Sequence, residues 1–150
     1  MSLVKHLGVF QQELTEFVSL LEEEQRSLTS SKVDGRLIAD IASRKSDKLA
    51  TIDKLEEVRR KVQKMMGYPD GRNGAQQAAK DGSCTDLWDA ILTLTDRAKN
   101  LNELNGIQVH MHIEQNRRLM TFMNKASGTP LYGRDGKSQR KSLGAISTKA

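Results

Sequence analysis

The stretch from residue 83 to residue 126 has apolar residues at intervals of three and four and contains no proline. This spacing gathers side chains on one face of a helix. The apolar positions are Leu87, Ile91, Leu94, Ala98, Leu101, Leu104, Met111, Leu119 and Phe122. We therefore predict one long amphipathic helix, which at 1.5 Å per residue would extend roughly 65 Å. A helix of that length favours an elongated bundle over a compact globular fold.

Two further helical patterns precede this stretch. The first is a coiled-coil-like seam in which Glu24 is the polar exception, formed by Leu3, Leu7, Phe10, Leu14, Phe17, Leu21, Glu24 and Leu28. The second covers residues 36–66 and is predicted to turn inward Ile38, Ile41, Leu49, Ile52, Leu55, Val58, Val62 and Met65. Lys45 also falls on this seam, where we expect its stem to lie along the apolar face and its ammonium group to reach water.

The connections predict how these helices are arranged. Ser31 or Asp34 can cap the second helix, and the short turn before it makes the first two helices antiparallel neighbours. Residues 68–82 are rich in glycine and polar residues, and we interpret them as a mobile linker. Ser83 is the expected N-cap of the long third helix. This helix can bend at Asn105 and Gly106, because glycine costs about 1 kcal/mol relative to alanine inside a helix.

Composition supports an all-α fold with narrow helix seams, since 37% of residues are apolar and only 4% are aromatic. The predicted architecture is an elongated antiparallel bundle of three to four long helices over residues 1–132. Residues 133–150 carry five basic side chains and one acidic one, and we predict a disordered basic tail there. The single cysteine, the absence of a membrane-length apolar run and the lack of a signal-peptide core lead us to expect a soluble, cytoplasmic protein.

Residue patterns for catalysis or cofactor binding are weak. His110 and His112 would point about 200° apart on a helix, unlike the i,i+4 pair of a helical zinc site. Residues 133–138 end like a phosphate-binding loop, but Leu131 stands where that motif needs glycine. No carboxylate pair or nucleophile with an adjacent base can be identified. We expect a non-enzyme without a metal or another cofactor.

The third helix is longer than the helices predicted to cover it. Part of its apolar face, over residues 101–122, is therefore a candidate for binding another helix. The alternatives are that the helical hairpin or self-association covers the same face. Tyr132 follows the helix stop, and its ring either folds back on the bundle or serves as an exposed anchor for a partner.

Four motifs resemble, in order and spacing, the FlgN family of bacterial flagellar export chaperones. They are Leu-Glu-Glu-Glu-Gln-Arg-Ser-Leu at residues 21–28, Lys-Ser-Asp-Lys-Leu-Ala-Thr-Ile-Asp-Lys-Leu-Glu at 45–56, Leu-Asn-Glu-Leu-Asn-Gly at 101–106 and Leu-Tyr-Gly-Arg-Asp-Gly at 131–136. The third and fourth motifs are the most specific, because the heptads alone would match any coiled coil. The resemblance covers about residues 3–136.

This resemblance implies a cytosolic type III secretion chaperone. Its partners would be the C-terminal helices of the hook-filament junction proteins FlgK and FlgL, and the cytosolic domain of the export gate protein FlhA. The client surface would map to Leu101, Leu104, Asn105, Ile107, Met111, Leu119 and Phe122. The gate contact would map to Tyr132. The other hypotheses are a self-associating coiled-coil scaffold and a nucleic-acid binder acting through residues 134–149.

Overall fold

The computed structural model describes residues 2–128, and these residues form four α-helices and no strand. The helices are α1 (Leu3–Thr29), α2 (Gly35–Met65), α3 (Arg72–Asp81) and α4 (Thr85–Ser127). The predicted all-α class is confirmed. The chain divides into a first unit, Met1–Gly106, and a second unit that begins at Ile107. The predicted basic tail, residues 133–150, and its boundary at residue 132 lie outside the described residues.

The first unit is built on α1, whose predicted seam is confirmed. Ser2 caps this helix by accepting a hydrogen bond from the Lys5 backbone N–H at 3.3 Å. Every seam position after Leu3 is buried, namely Leu7, Phe10, Leu14, Phe17, Leu21, Glu24 and Leu28. Burial of such large apolar side chains stabilises the fold by about 1.5–3 kcal/mol each. The apolar face of α1 therefore forms much of the core of this unit.

Helix α2 runs antiparallel to α1, as predicted. Asp34 is its N-cap, and the carboxylate accepts from the backbone N–H groups of Arg36 at 3.0 Å and Leu37 at 3.4 Å. The direction follows from cross-helix contacts: the Nε2 of His6 lies 2.8 Å from the carbonyl oxygen of Leu55, whereas Lys45 reaches Glu24. Early residues of α1 thus meet late residues of α2.

The predicted inward face of α2 is partly wrong. Ile41 is buried and Ile52 and Leu55 pack at the edge of the core, but Leu49, Val58 and Met65 are exposed. Arg59 and Gln63 are buried instead. Polar groups suit these two positions because the guanidinium group of Arg59 stacks over Trp88 while the Gln63 amide bonds backbone carbonyl oxygens of the following turn.

The predicted linker is also wrong over most of its length, because it contains helix α3. The buried residues of α3 are small, namely Gly74, Ala75, Ala78 and Ala79. A Cβ atom at Gly74 would lie 1.8 Å from the carbonyl oxygen of Pro69, so only glycine fits there. Small side chains let α3 lie close to the core, where Ala75 and Ala79 join a cluster with Leu7, Phe10, Leu14, Cys84, Trp88 and Ile91.

Helix α4 begins two residues later than the predicted cap. Ser83 has a left-handed backbone, with φ of 54°, and the carbonyl oxygen of Cys84 accepts the first helical hydrogen bond from Trp88 at 3.0 Å. The prediction that Ser83 is the N-cap is therefore wrong. Asp86 does lie in the first turn, where its negative charge interacts favourably with the positive end of the helix dipole. Residues 85–106 of α4 belong to the first unit and residues 107–127 to the second.

Candidate partner-binding surface

The second unit presents large apolar side chains on α4 that are exposed to solvent. They are Ile107, Met111, Ile113, Leu119, Met120, Phe122 and Met123. Phe122 is the most exposed of them, with 68% of its surface accessible. Soluble proteins rarely leave many large apolar residues uncovered on one short segment, and such segments mark sites of interaction with other chains. This part of α4 is therefore the candidate binding surface.

The seven predicted client residues are divided between exposed and buried positions. Five are exposed: Leu104, Ile107, Met111, Leu119 and Phe122. The other two, Leu101 and Asn105, are buried within the first unit, Leu101 in a cluster with Phe17, Val18, Leu21 and Ala98. A side chain buried in that way is not available for direct contact with a partner. Whether the five exposed residues bind a client stays a prediction.

Asn105 belongs to a buried polar cluster that joins three helices of the first unit. Its amide nitrogen donates to the carbonyl oxygen of Leu21 at 2.9 Å and to Oε1 of Glu24 at 2.8 Å. The Nζ of Lys45 lies 3.0 Å from the same Glu24 oxygen and donates to Oδ1 of Asn102 at 3.0 Å. Both Glu24 and Asn105 are almost completely buried. The cluster therefore holds α4 against α1 and α2 by charge-assisted hydrogen bonds.

This cluster corrects the expectation for Lys45. Its ammonium group was expected to reach water, but it pairs with the carboxylate of Glu24 and is only 18% exposed. Glu24 and Lys45 each interrupt an apolar seam, and the structure brings the two interruptions together. Two opposite charges at seam positions of neighbouring helices were the signal in the sequence that could have identified this pair.

The sequence patterns did not predict a second row of apolar residues on the second unit. It consists of Val109, Ile113, Met120 and Met123, of which Val109 is half-buried and the other three are exposed. Their positions follow the spacing of four, seven and three residues that repeats on one helix face. The row was overlooked because it lies on a different side of α4 from Met111 and Phe122, which belong to the predicted apolar face.

Ion pairs between α1 and α2 account for several charged side chains near the surface of the first unit. Lys48 donates to Glu16 at 2.6 Å and to Glu13 at 2.9 Å. The hydrogen bond and the charge of Lys48 hold the pKa of Glu16 below its usual range, and the two carboxylates raise the pKa of Lys48. Because Glu16 is exposed and Lys48 and Glu13 are partly exposed to solvent, these pairs contribute little to stability.

Other candidate reactive groups are buried or scattered. Burial raises the pKa of the Cys84 thiol, so the nucleophilic thiolate is a small fraction at neutral pH. Among residues 2–128, no three histidine, cysteine, aspartate or glutamate side chains lie close enough together to hold a metal ion. In the same part of the chain, no helix is both long and apolar enough to cross a membrane. Tyr132, the predicted gate contact, lies outside the described residues.

The chain is similar to members of one protein family over most of its length. A family model described as FlgN protein matches residues 3–140. The chain is 28% identical to the flagella synthesis protein FlgN of Proteus mirabilis over 131 residues, which cover 87% of this chain and 86% of that protein. It is 30% identical to the protein of the same name from Salmonella typhimurium over 125 residues, or 83% and 81% of the two chains. For Yersinia enterocolitica the identity is 27% over 138 residues, or 92% and 90%. No solved structure matches.

Proposed function

This chain belongs to the FlgN family of flagellar synthesis proteins, and from that premise we propose that it is a cytoplasmic export chaperone. Its clients are hook-filament junction proteins of the FlgK and FlgL type, which it binds through their C-terminal amphipathic helices. Binding prevents these helices from polymerising before export. The chaperone then delivers the client to the cytosolic domain of the FlhA export gate.

The observation that carries this proposal is the exposed apolar surface of the second unit. The proposed client contacts there are Ile107, Met111, Leu119 and Phe122, all of which are about half or more exposed. An amphipathic client helix would cover these side chains with its own apolar face, as in helix-in-groove recognition. Each square ångström of apolar surface removed from water contributes about 25 cal/mol, from which the entropy lost on association must be subtracted.

The three remaining predicted client residues lie in the first unit. Leu104 is exposed in the first unit and is a separate candidate for contact. Leu101 and Asn105 are buried there and support the helix that carries the surface without touching the client.

Client binding can be tested with Phe122→Asp in the full chain and the C-terminal helical region of a FlgK-type protein from the same bacterium. We expect at least a tenfold weaker Kd by isothermal titration calorimetry, because a charge would replace an exposed apolar anchor. The matched control is Thr121→Asp, which adds the same charge at the neighbouring exposed position. Equal affinity of wild type and Phe122→Asp, with both folded, would contradict the assigned surface.

The same Phe122→Asp variant distinguishes the chaperone from the coiled-coil scaffold. A scaffold would close its apolar surface with further copies of itself, so the free protein would sediment as an oligomer that Phe122→Asp dissociates. The chaperone instead forms a defined complex with the client. Sedimentation velocity with and without the client region distinguishes these results.

Delivery is proposed to depend on Tyr132, which the resemblance in the Leu-Tyr-Gly motif assigns to the gate contact. We expect Tyr132→Ala to leave the client Kd unchanged while lowering the amount of junction protein secreted into the medium. The measurement is immunoblotting of culture supernatants alongside titration of the purified variant. If client binding is lost as well, Tyr132 is part of the fold or of the client site.

A further inference from the structure

The second unit has two apolar stripes on α4, not one. At about 100° of rotation per residue, stripe one (Ile107, Met111, Leu119 and Phe122) and stripe two (Val109, Ile113, Met120 and Met123) are centred roughly 150° apart. On one side a polar strip of His110, Glu114, Arg117 and Thr121 separates them. On the other side Gln108, His112 and Gln115 lie between them over the first half of the segment.

The two stripes are too far apart for a single partner helix to cover both. A helix packed on one neighbour buries an apolar stripe about 100° wide. The outer edges of the two stripes are roughly 240° apart on the wheel, with Gln108, His112 and Gln115 between the stripes over the first half of the segment. Covering stripe one with a single helix would leave Ile113 and Met120 in water, where they are 52% and 39% exposed now.

We infer that the bound client contributes two helices to this segment, one along each stripe, and that the edges of those helices carry acidic residues. This inference rests on the proposed function and adds the number and chemistry of the helices that the surface accepts. Each client helix would present apolar residues at intervals of three and four. The two would enclose α4 from opposite sides and leave the polar strip in water.

Stripe two has a pattern that sets the register of a partner. Asn116 lies between Ile113 and Met120, so positions 109, 113, 116, 120 and 123 follow the alternating spacing of four and three found in coiled coils. A single asparagine in such a seam favours a polar residue opposite it and penalises shifted pairings. The client helix on stripe two should therefore carry one polar residue in its apolar face, opposite Asn116.

Charge argues for an acidic partner and against another part of this protein. Residues 107–127 contain three basic side chains, Arg117, Arg118 and Lys125, and one acidic side chain, Glu114. A second copy of this segment would bring like charges together. The basic residues 133–150, with five positive charges and one negative charge, would do the same. Like charges placed side by side disfavour association, whereas acidic edges on a client helix would complement the segment.

The test compares three variants of the full chain, each with a new charge on a different side of α4. Met111→Asp changes stripe one, Ile113→Asp changes stripe two and Thr121→Asp changes the polar strip; all three positions are exposed, so the fold should tolerate them. The probe is the C-terminal helical region of the FlgK-type protein, titrated by calorimetry. We expect the Kd to weaken at least tenfold for both stripe variants and less than twofold for Thr121→Asp.

The outcomes separate this inference from the proposed function. Loss of affinity in only one stripe variant would overturn the two-helix inference and leave the chaperone proposal standing. Unchanged affinity in both stripe variants would overturn the two together. A tenfold loss for Thr121→Asp would also overturn the inference, because the client would then surround the whole helix. If the free protein dimerises and the stripe variants abolish only that dimer, a second copy is the occupant and the inference fails.

Two additional measurements examine the helices directly. Cysteines introduced at position 113 or position 122 can be crosslinked to the bound client, while buried Cys84 is left in place. Mass spectrometry should find two different client segments attached to the two positions; one shared segment would contradict the inference. Raising sodium chloride from about 0.05 to about 0.5 M should weaken client binding, because salt screens the acidic edges from the basic segment. Binding that is insensitive to salt would rule out acidic edges.

Discussion

The two parts of α4 share one helix and a similar apolar spacing, but they differ in what covers them. In residues 85–106, Trp88, Ile91, Ala98 and Leu101 are buried in the first unit. In residues 107–127, the comparable large side chains, such as Met111 and Phe122, are exposed. Periodicity therefore indicates that a helix has an apolar face, and it does not indicate whether that face is covered by the same chain or left for a partner.

The polar cluster around Glu24 lies near the end of the buried part. Asn105 is the last buried side chain of α4 in the first unit, and Ile107 begins the second unit. Buried polar groups favour one arrangement of helices because any shift leaves them without hydrogen bonds. We interpret the cluster as the contact that sets the register of α4 against α1 and α2.

The largest loss of stability is expected for Glu24→Ala. This change leaves the Lys45 ammonium group and the Asn105 amide without their buried carboxylate partner, which should lower the free energy of unfolding by about 3–4 kcal/mol. Urea unfolding monitored by circular dichroism measures it. The control is Glu22→Ala on the same helix, where the ion pair with Arg97 is exposed and should contribute less than about 1 kcal/mol. Similar losses for both variants would argue against a special role of the cluster.

A matched pair of leucines measures the difference between covered and uncovered positions on α4. Leu101→Ala should cost about 2–4 kcal/mol, because it opens a cavity beside Phe17 and Leu21. Leu104→Ala, three residues further along, removes the same atoms from an exposed position and should cost less than about 0.5 kcal/mol. Urea unfolding of the purified variants measures both changes in the free energy of unfolding. Equal costs would mean that Leu104 is covered in solution.

A smaller effect of opposite sign is expected at Gly106, where the first unit ends. Its backbone is helical and a Cβ atom would meet nothing within 4 Å, so the structure offers no steric reason for glycine. Gly106→Ala should raise the free energy of unfolding by about 0.5–1 kcal/mol, because alanine loses less backbone entropy in a helix. Thermal unfolding shows whether the variant is more or less stable than the wild type. A lower melting temperature would show that this residue needs a conformation other than the helical one.

The smallest effect is a pH dependence centred on Glu56. Burial alone would raise the pKa of its carboxyl group, but hydrogen bonds and charges from Arg59 and Arg60 outweigh burial and hold the pKa below its usual range. The folded state therefore binds the proton less readily than the unfolded state. The stabilisation is present above the ordinary carboxyl pKa of about 4.3 and is lost as the pH falls through the lower folded value.

The expected size of this pH effect is about 1 kcal/mol or less, since Glu56 is partly exposed. Arg59 stacks on Trp88 with 4.9 Å between its guanidinium carbon and the ring centroid. Acid should therefore lower the hydrogen-exchange protection factors, which compare observed with intrinsic exchange at each pH, in the buried part of α4 near Trp88. In Glu56→Gln this acid-dependent loss of protection should be absent. If it persists unchanged, another carboxylate is responsible.

Much of the fold follows from local patterns along the chain. The seam from Leu7 to Leu28 and the long helix after Thr85 are encoded by residues close in sequence and were predicted, apart from the exact cap of α4. Asp34, which caps α2, was one of the two caps predicted for that helix. Helix α3 was not predicted, because its buried face consists of glycine and alanine. These residues give a weak hydrophobic signal, and the glycine-rich turn before them indicates a loop.

The candidate site could be predicted only in part. The sequence indicated an apolar face on the third predicted helix, and the exposed positions Ile107, Met111, Leu119 and Phe122 belong to it. It did not indicate that Leu101 and Asn105 are buried while Leu104 is exposed, since all three fall within one motif of six residues. Stripe two was missed because a search for one continuous face ignores a second one on the same helix.

Helix periodicity, caps and motifs are properties of neighbouring residues. They were therefore enough to predict that this chain forms amphipathic helices, where most of these helices begin and end, and which family the chain resembles. The packing of the helices established three further features: which apolar faces are covered, which charged seam residues pair, and that the small-residue helix α3 joins the core. Those outcomes depend on contacts between residues far apart in the chain, such as Glu24 with Lys45 and Asn105. The free energy of such contacts arises only when the helices pack together.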